Sequence, residues 1–300
     1  MPVSRVVALR ADAWMLLASA IWGAAFVAQA RAAEHLDALT IAALRFGAGG
    51  VLLLPIVLVR RRRVRANSPA STVLGGGLAA GVVMLVAFVL QQRGIEAGST
   101  ASAAGFVTGL YVLFVPILGL LGGLRTHPAV WAGALMAVGG LHLLSMNAEF
   151  RMAWGDLLVL LCAVAWAVHV LLIGRFSPRC DAIELAATQF LVTGALAAIA
   201  MPATPSTEAL RASLWPMIYL GPVAVGIAFT LQVVGQRTAP PAHAAVILSM
   251  EGVFAALFGA LIGGERLSGA QYAGCGLMLA GILVAQWPEF TRRQAPAEPC

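Results

Sequence analysis

The chain has 300 residues, of which 60% are hydrophobic and 11% charged, with a mean hydropathy of +0.89 and a formal net charge of +6. A soluble domain is about 45–50% apolar and about 25% charged, so a water-soluble globular protein is excluded, and the polar segments are too short to form a sizeable soluble domain. All 19 basic residues are arginines, and their positions along the chain explain the excess charge without nucleic acid as a partner.

Apolar stretches of about 17–25 residues, each long enough to cross a hydrocarbon core of about 30 Å, recur along the chain. Ten spans are predicted, at 13–31, 40–59, 71–91, 98–122, 128–146, 156–174, 183–201, 213–234, 241–262 and 269–287. Leu, Ala and Gly dominate and alternation is weak, so the spans are helices rather than barrel strands. The basic start MPVSRVVALRAD precedes a full-length apolar run and reads as the lead into span one, not as a cleaved signal peptide.

Span one carries Trp22 well inside the apolar run, away from the usual interfacial belt of aromatics. Arg45 is the sixth residue of span two. Its cation cannot be discharged, so it reaches an acid, helix-end carbonyls, the interface or the carboxylate of an anionic substrate. The basic run at 60–65 follows, a topology signal beside anionic lipid. Gln92 directly follows span three, and span four places Thr108 and Tyr111 on one face ahead of Pro116. Span five has small residues at Gly133 and Ala137.

In span six, Trp166 and His169 share a face. They either flank a cavity or hold helices together. Gln189 lies in span seven; Gln232 and Gln236 share a face of span eight, after Pro222. Both prolines remove a backbone donor and either mark a bend or a gate or only shape the packing of the bundle. Span nine holds Ser249, Glu251 and Gly252. Glu251 is the eleventh residue from Pro241, about 15 Å into the span. A charge at that depth costs about 2.5–3.5 kcal/mol on insertion scales unless it meets water or a partner. It is therefore either a protonatable, substrate-facing carboxyl or a packed acid joined to another helix. Span ten repeats the small-residue spacing of span five at Ala270 and Gly274 and at Gly276 and Ala280, which suits close helix packing or association into a homodimer.

With the N-terminus in the cytoplasm, thirteen arginines fall inside and five outside, which places both termini inside. A shift of 144 residues superimposes Trp22 on Trp166, Asp37 on Asp181, Phe46 on Phe190, Gly50 on Gly194 and Gln92 on Gln236. Beyond a three-residue gap the shift is 141, which pairs Thr108 with Ser249, Tyr111 with Gly252 and Gly140 with Gly281; Arg45 meets Gln189 at 144. The chain thus divides into two five-helix repeats, 13–146 and 156–287. An odd number of spans per copy inverts the second, the architecture of many secondary transporters, with substrate held near the midplane between the halves.

SAIWGAAFVAQA (19–30), ALRFGAGG (43–50) and MEGVFAALFGALIGGERLSGAQYAGCGLMLAGILVA (250–285) resemble the EamA type of the drug/metabolite transporter superfamily, over about residues 13–287. The resemblance implies an all-α integral membrane protein of ten helices in two five-helix halves, moving a small metabolite, often outward. Two positions depart from the pattern: the first copy has Leu124 where the second has Glu265, and Gly252 stands where a proline is common.

The expected function is a secondary transporter in the bacterial cytoplasmic membrane, exporting an amino acid, a derivative or a toxic analogue. Its expected partners are the small-molecule substrate, the lipid bilayer and protons. The polar groups of spans 3, 4, 8 and 9 would make a wet groove; each alone is a helix–helix hydrogen bond of about 0.6 kcal/mol. The chain has no Walker A pattern, so ATP is not its direct energy source. The alternatives are an intramembrane enzyme and a non-transporting scaffold. The sequence has no HExxH, no G-x-S-x-G and no clustered Asp pair, and five scattered histidines and four scattered cysteines give no metal set, so no enzyme, cofactor or metal is expected.

Overall fold

The computed structural model describes residues 5–63, 69–99, 101–145, 154–263 and 268–291, and every regular element among them is helical. The helices are α1 (Arg5–Ala33), α2 (Ala38–Arg63), α3 (Ala70–Glu96), α4 (Ala101–Gly109), α5 (Tyr111–Leu121), α6 (Pro128–Ser145), α7 (Trp154–Phe176) and α8 (Ala182–Ala200). There follow α9 (Thr207–Ala212), α10 (Leu214–Ile218), a π-helical segment (Tyr219–Phe229), α11 (Thr230–Gly235), α12 (Pro241–Leu248), α13 (Glu251–Gly263) and α14 (Gly269–Thr291).

Eight stretches are long and apolar enough to cross a membrane: Val6–Ala33, Ala38–Arg62, Ala70–Glu96, Ala104–Leu121, Trp154–Arg179, Ala182–Ala200, Leu214–Gly235 and Pro241–Ile262. Pro128–Leu143 and Gly269–Ala285 are shorter apolar helices. The surface bears Leu121, Ile199 and Leu261 at 79–82% exposure. Such a coat suits lipid rather than water.

Three of these stretches are interrupted. Span four breaks at Leu110, between α4 and α5, where Leu110 N donates to Val107 O at 3.2 Å and Leu113 N to Leu110 O at 3.0 Å. Span nine breaks at Ser249 and Met250, with Met250 N bonded to Ile247 O at 3.2 Å. Both breaks tighten the helix by one residue. Pro116 is the sixth of the eleven residues of α5, where its missing donor removes one bond to the preceding turn while the helix continues to Leu121. Pro222 lies inside the π-helical segment.

Asp37 and Asp181 do the same work at the starts of α2 and α8. Asp37 Oδ1 accepts from Leu39 N at 2.9 Å and Thr40 N at 3.2 Å; Asp181 Oδ1 accepts from Ile183 N at 2.9 Å and Glu184 N at 3.1 Å. These are N-caps, satisfying donors that the helix itself leaves free. Burial by itself would raise both acids, but hydrogen bonds outweigh it, so each stays below the usual carboxylate range. For Asp37 these come from Thr40 and Leu39; for Asp181, from Arg60 and the capped backbone.

The basic run is tied down as well as charged. Arg60 Nη2 reaches Asp181 Oδ2 at 2.7 Å, and Arg61 Nε and Nη2 fork onto the two oxygens of Glu184 at 2.7 and 3.1 Å. These pairs join α2 to α8, which also cross closely at mid-length: a Cβ on Gly194 would lie 2.7 Å from Gly47 N. The small residues of spans five and ten likewise face each other within the chain. A Cβ on Gly133 would come 2.5 Å from Gly281 O, and one on Gly140 would come 2.5 Å from Gly274 O. Gly276, by contrast, meets nothing within 4 Å. The core between α1, α2, α3, α7, α8 and the π-helical segment is filled by Met15, Phe46, Met84, Phe88 and Phe190, all at most 1% exposed.

Candidate functional site

A cavity opens where the interrupted spans meet α1, α2, α3 and α7. Its lining includes Trp22, Ala25, Phe26 and Gln29 from α1, Arg45 from α2, Phe88 and Gln91 from α3, and Trp166 and Val170 from α7. The broken spans contribute Thr108, Tyr111, Leu248 and Glu251; Phe229 and Gln232 complete it. The space between these side chains, counted together with its opening to the surroundings, is about 490 Å³. Tyr111 is the first residue of α5 and Glu251 the first of α13, so each half brings one polar side chain in at its break.

Phe229, at the end of the π-helical segment, is the centre of an aromatic wall. Trp22 lies 4.5 Å from it and Trp166 5.6 Å, the latter stacked at 25°. Phe46, Phe190 and His169 surround it at 6.1–6.2 Å. Trp22 Nε1 donates to Ala224 O at 3.0 Å, and Tyr219 Oη donates to Ile21 O at 2.7 Å, so α1 and the π-helical segment hold each other in place. Localised π-turns recur at functional sites because they re-aim side chains and release carbonyls.

The polar atoms of the cavity are poorly served by the protein itself. Arg45, 3% exposed, sits over the Phe88 ring at 4.6 Å and near Phe46 at 5.1 Å; its Nε and Nη1 have no hydrogen-bond partner among the described residues. Glu251 is 5% exposed, and its Oε1 is likewise unpartnered. The Tyr111 hydroxyl is its neighbour but falls outside hydrogen-bond geometry. Gln29 Oε1, Trp166 Nε1 and Gln232 Oε1 are in the same condition. A buried polar group without a partner costs about 1–3 kcal/mol, more when charged. Six such residues border one cavity, so it presents buried donors and acceptors that the described residues do not satisfy. No three of His, Cys, Asp and Glu among the described residues gather where a metal ion could bind.

Seven of the thirteen residues singled out in the sequence line this cavity: Trp22, Arg45, Thr108, Tyr111, Trp166, Gln232 and Glu251. The other six stand behind it or elsewhere. His169 Nε2 and Gln189 Oε1 pair at 2.9 Å, linking α7 to α8. Gln236 Nε2 donates to Val170 O at 3.0 Å and receives Gln232 Nε2 on its Oε1 at 3.0 Å, so it props a lining residue. Gln92 Nε2 donates to Gln29 O at 3.4 Å. Ser249 Oγ, at the break, bonds back to Val246 O at 2.8 Å in the last turn of α12. Gly252 faces α6, where a Cβ would meet Leu141 Cδ2 at 2.8 Å. The sequence reading passed over Gln29, Gln91 and the phenylalanines. Gln91, not Gln92, points inward and donates to Thr108 Oγ1 at 3.0 Å. Gln29 shares a face with Trp22 and Phe26, a spacing that would have found it.

A model of the EamA-like transporter family matches residues 9–146 and again residues 153–286. The chain belongs to this family. An uncharacterized transporter of Archaeoglobus fulgidus is 27% identical over 282 residues, covering 92% of this chain and 85% of that protein. The uncharacterized inner membrane transporter YedA of Escherichia coli K12 is 24% identical over 287 residues, 93% of this chain and 90% of its own. The uncharacterized transporter YwfM of Bacillus subtilis is 27% identical over 301 residues, 95% of this chain and 96% of its own. A solved structure named "Crystal structure of protein" shares the fold, with a TM-score of 0.75, 24% identity and coverage of 95% of this chain and 98% of that one. This EamA-like chain is thus a multi-pass membrane protein of a transporter family, and its cavity is placed among helices from both matched segments.

Proposed function

We propose that the chain is a secondary transporter that exports a small amphipathic metabolite across the bacterial cytoplasmic membrane by alternating access, and is not an enzyme. The observation that carries this reading is that one aromatic-walled cavity is lined by both Arg45, whose Nε and Nη1 have no partner among the described residues, and Glu251, whose Oε1 has none. A solute with a carboxylate, a hydrogen-bond donor or ammonium group, and an apolar flank complements all three. Amino acids, their derivatives and their toxic analogues have that form. The cavity offers shape and polarity for binding rather than an arranged nucleophile and base.

The same reading takes the ten apolar helices as ten spans in two inverted halves, with both termini in the cytoplasm. Its support is the thirteen-to-five arginine count and the matching caps of Asp37 and Asp181. Reporter fusions after Arg65 and after Pro202 should then report opposite sides; agreement between them would end the ten-span arrangement. For the activity, purified protein in liposomes should catalyse counterflow of a labelled amino acid or analogue chosen by a growth screen with toxic compounds. Chemical change of the solute would turn the reading toward an enzyme, and no exchange of any compound that rescues growth would remove it.

A further inference from the structure

Two contacts outside the cavity repeat one another across the chain. The 144-residue shift that superimposes Trp22 on Trp166 also superimposes Asp12 on Asp156. Each aspartate bonds to the other half. Asp12 Oδ1 meets His243 Nε2 at 3.0 Å, in the first turn of α12. Asp156 Oδ1 accepts from Ser99 Oγ at 2.8 Å, just before α4. Beside each bond, the helix carrying the aspartate touches a glycine of the other half. A Cβ on Gly235 would lie 3.0 Å from Ala11 O and 2.7 Å from Met15 Cγ. A Cβ on Gly94 would lie 2.7 Å from Gly155 O and 2.5 Å from Val159 Cγ2. Ala11 and Met15 are themselves superimposed on Gly155 and Val159 by the same shift.

The two contact sets lie at opposite ends of the molecule. Gly174, near the far end of α7 from Asp156, packs on Pro241, where a Cβ would meet Pro241 Cγ at 2.5 Å. Pro241 begins the helix that carries His243, so α7 ends where α1 begins. Each aspartate is ten residues from the cavity tryptophan of its own helix, about 15 Å along the axis at 1.5 Å per residue. The cavity is therefore bracketed, with one aspartate contact beyond each end. Each contact joins the first helix of one half to the third and fourth spans of the other.

We infer that these are the two gates of the transport cycle: the Asp12–His243 contact with its Gly235 seam closes one end, and the Asp156–Ser99 contact with its Gly94 seam closes the other. The inference rests on the transporter reading; the structure itself gives the two contacts and their placement about 15 Å to either side of the cavity tryptophans. A glycine seam opens by rigid-body motion without repacking side chains, while the aspartate bond adds a discrete, breakable contact. A transition between packed states needs such bistable contacts. Both are formed here at once, so neither end is released.

The test is side-specific thiol labelling of the full-length protein in oriented proteoliposomes. Ala25→Cys, in a background with the four native cysteines replaced by serine, places a reporter in the cavity. Asp12→Ala should raise labelling by a membrane-impermeant maleimide roughly tenfold from one side only, and Asp156→Ala by a similar factor from the opposite side only, given the strength of a hydrogen bond to a charged group. If an aspartate variant does not accumulate as folded protein, His243→Ala and Ser99→Ala break the same contacts from the other partner. Labelling unchanged from both sides, or raised from the same side by both variants, would overturn the assignment. The readout needs no substrate, so it separates failure of the gates from failure of the transporter reading, which counterflow tests.

Discussion

Arg45 and Glu251 enter one cavity from different halves of the chain, each at most 5% exposed and neither in an ion pair among the described residues. They are not satisfied by each other. Burying two such groups separately is costly unless something else completes them. The aromatic rings around Arg45 offset part of that cost for the cation, through the 4.6 Å approach to Phe88. The neighbouring Tyr111 hydroxyl stands closest to doing so for the acid.

Arg45→Gln should weaken binding of a carboxylate-bearing solute while leaving the protein in the membrane. A hydrogen bond to a charged group contributes about 1.5–3 kcal/mol, which corresponds to about a tenfold to hundredfold rise in KM. Arg45→Lys should recover only part of this, because a lysine cannot present a planar fork. Counterflow at varied substrate concentration measures both. An unchanged KM in Arg45→Gln would assign the guanidinium to helix packing over Phe46 and Phe88.

Glu251→Gln keeps the size of the side chain and removes its proton site. If the carboxyl exchanges a proton during the cycle, the variant should still reach the membrane but lose the pH dependence of transport. Transport rates from mildly acidic to mildly alkaline pH are the measurement. Full activity with the same pH response would exclude a proton-carrying role, and loss of folded protein would make the acid a structural member of the α13 start.

Eight of the ten expected spans coincide with helices long and apolar enough to cross a membrane, and the polar residues within them were legible because a charge or an indole in an apolar run stands out. Arg45, Glu251, Trp22 and Trp166 were all found that way. What escaped was direction. Gln91 and Gln92 are adjacent, and repeat symmetry favoured Gln92, the mate of Gln236. In the structure Gln91 faces the cavity, while Gln92 and Gln236 both act on backbone carbonyls beside it. Phe229 carries no signal at all, being one apolar residue among many; the π-helical turn that aims it is not written in a residue pattern. Tyr111 is the mate of Gly252 in the repeat register, but the two breaks differ in length. Span four breaks at Leu110 and span nine at Ser249 and Met250, so the first residue of α5, Tyr111, corresponds in role to the first of α13, Glu251.

The Asp181 cap gives a prediction about stability. Its carboxyl is held low in the folded protein because bonds from Arg60 and the α8 backbone outweigh burial. A depressed folded value means that the contribution is complete above the ordinary carboxylate range and is lost as pH falls through the lowered value. At neutral pH, Asp181→Ala should therefore cost about 1 kcal/mol, the usual loss for an N-cap. The difference from the parent should shrink in acid. Thermal unfolding in detergent at neutral and acid pH reads this directly. A gap that widens in acid would contradict the arrangement.

The last prediction concerns what fills the cavity and what does not. Tyr111 and Gly252 are repeat mates, which suggests open room beside Glu251, yet Gly252 faces Leu141, a residue with no exposed surface. Gly252→Trp should therefore act by overpacking the contact between α13 and α6, a fault that costs about 1–3 kcal/mol or more, and should reduce the amount of folded protein. Ala25 lines the cavity next to Phe26 and Gln29. Ala25→Trp should project into the space between the two tryptophans and abolish counterflow, with the protein still folded enough to elute as a single species. Leu283→Trp, on a side chain 65% exposed to the surroundings, should change neither quantity. Transport normalised to folded protein distinguishes the three. Equal counterflow in Ala25→Trp and Leu283→Trp would mean that solute does not pass through the space lined by Trp22, Trp166 and Glu251.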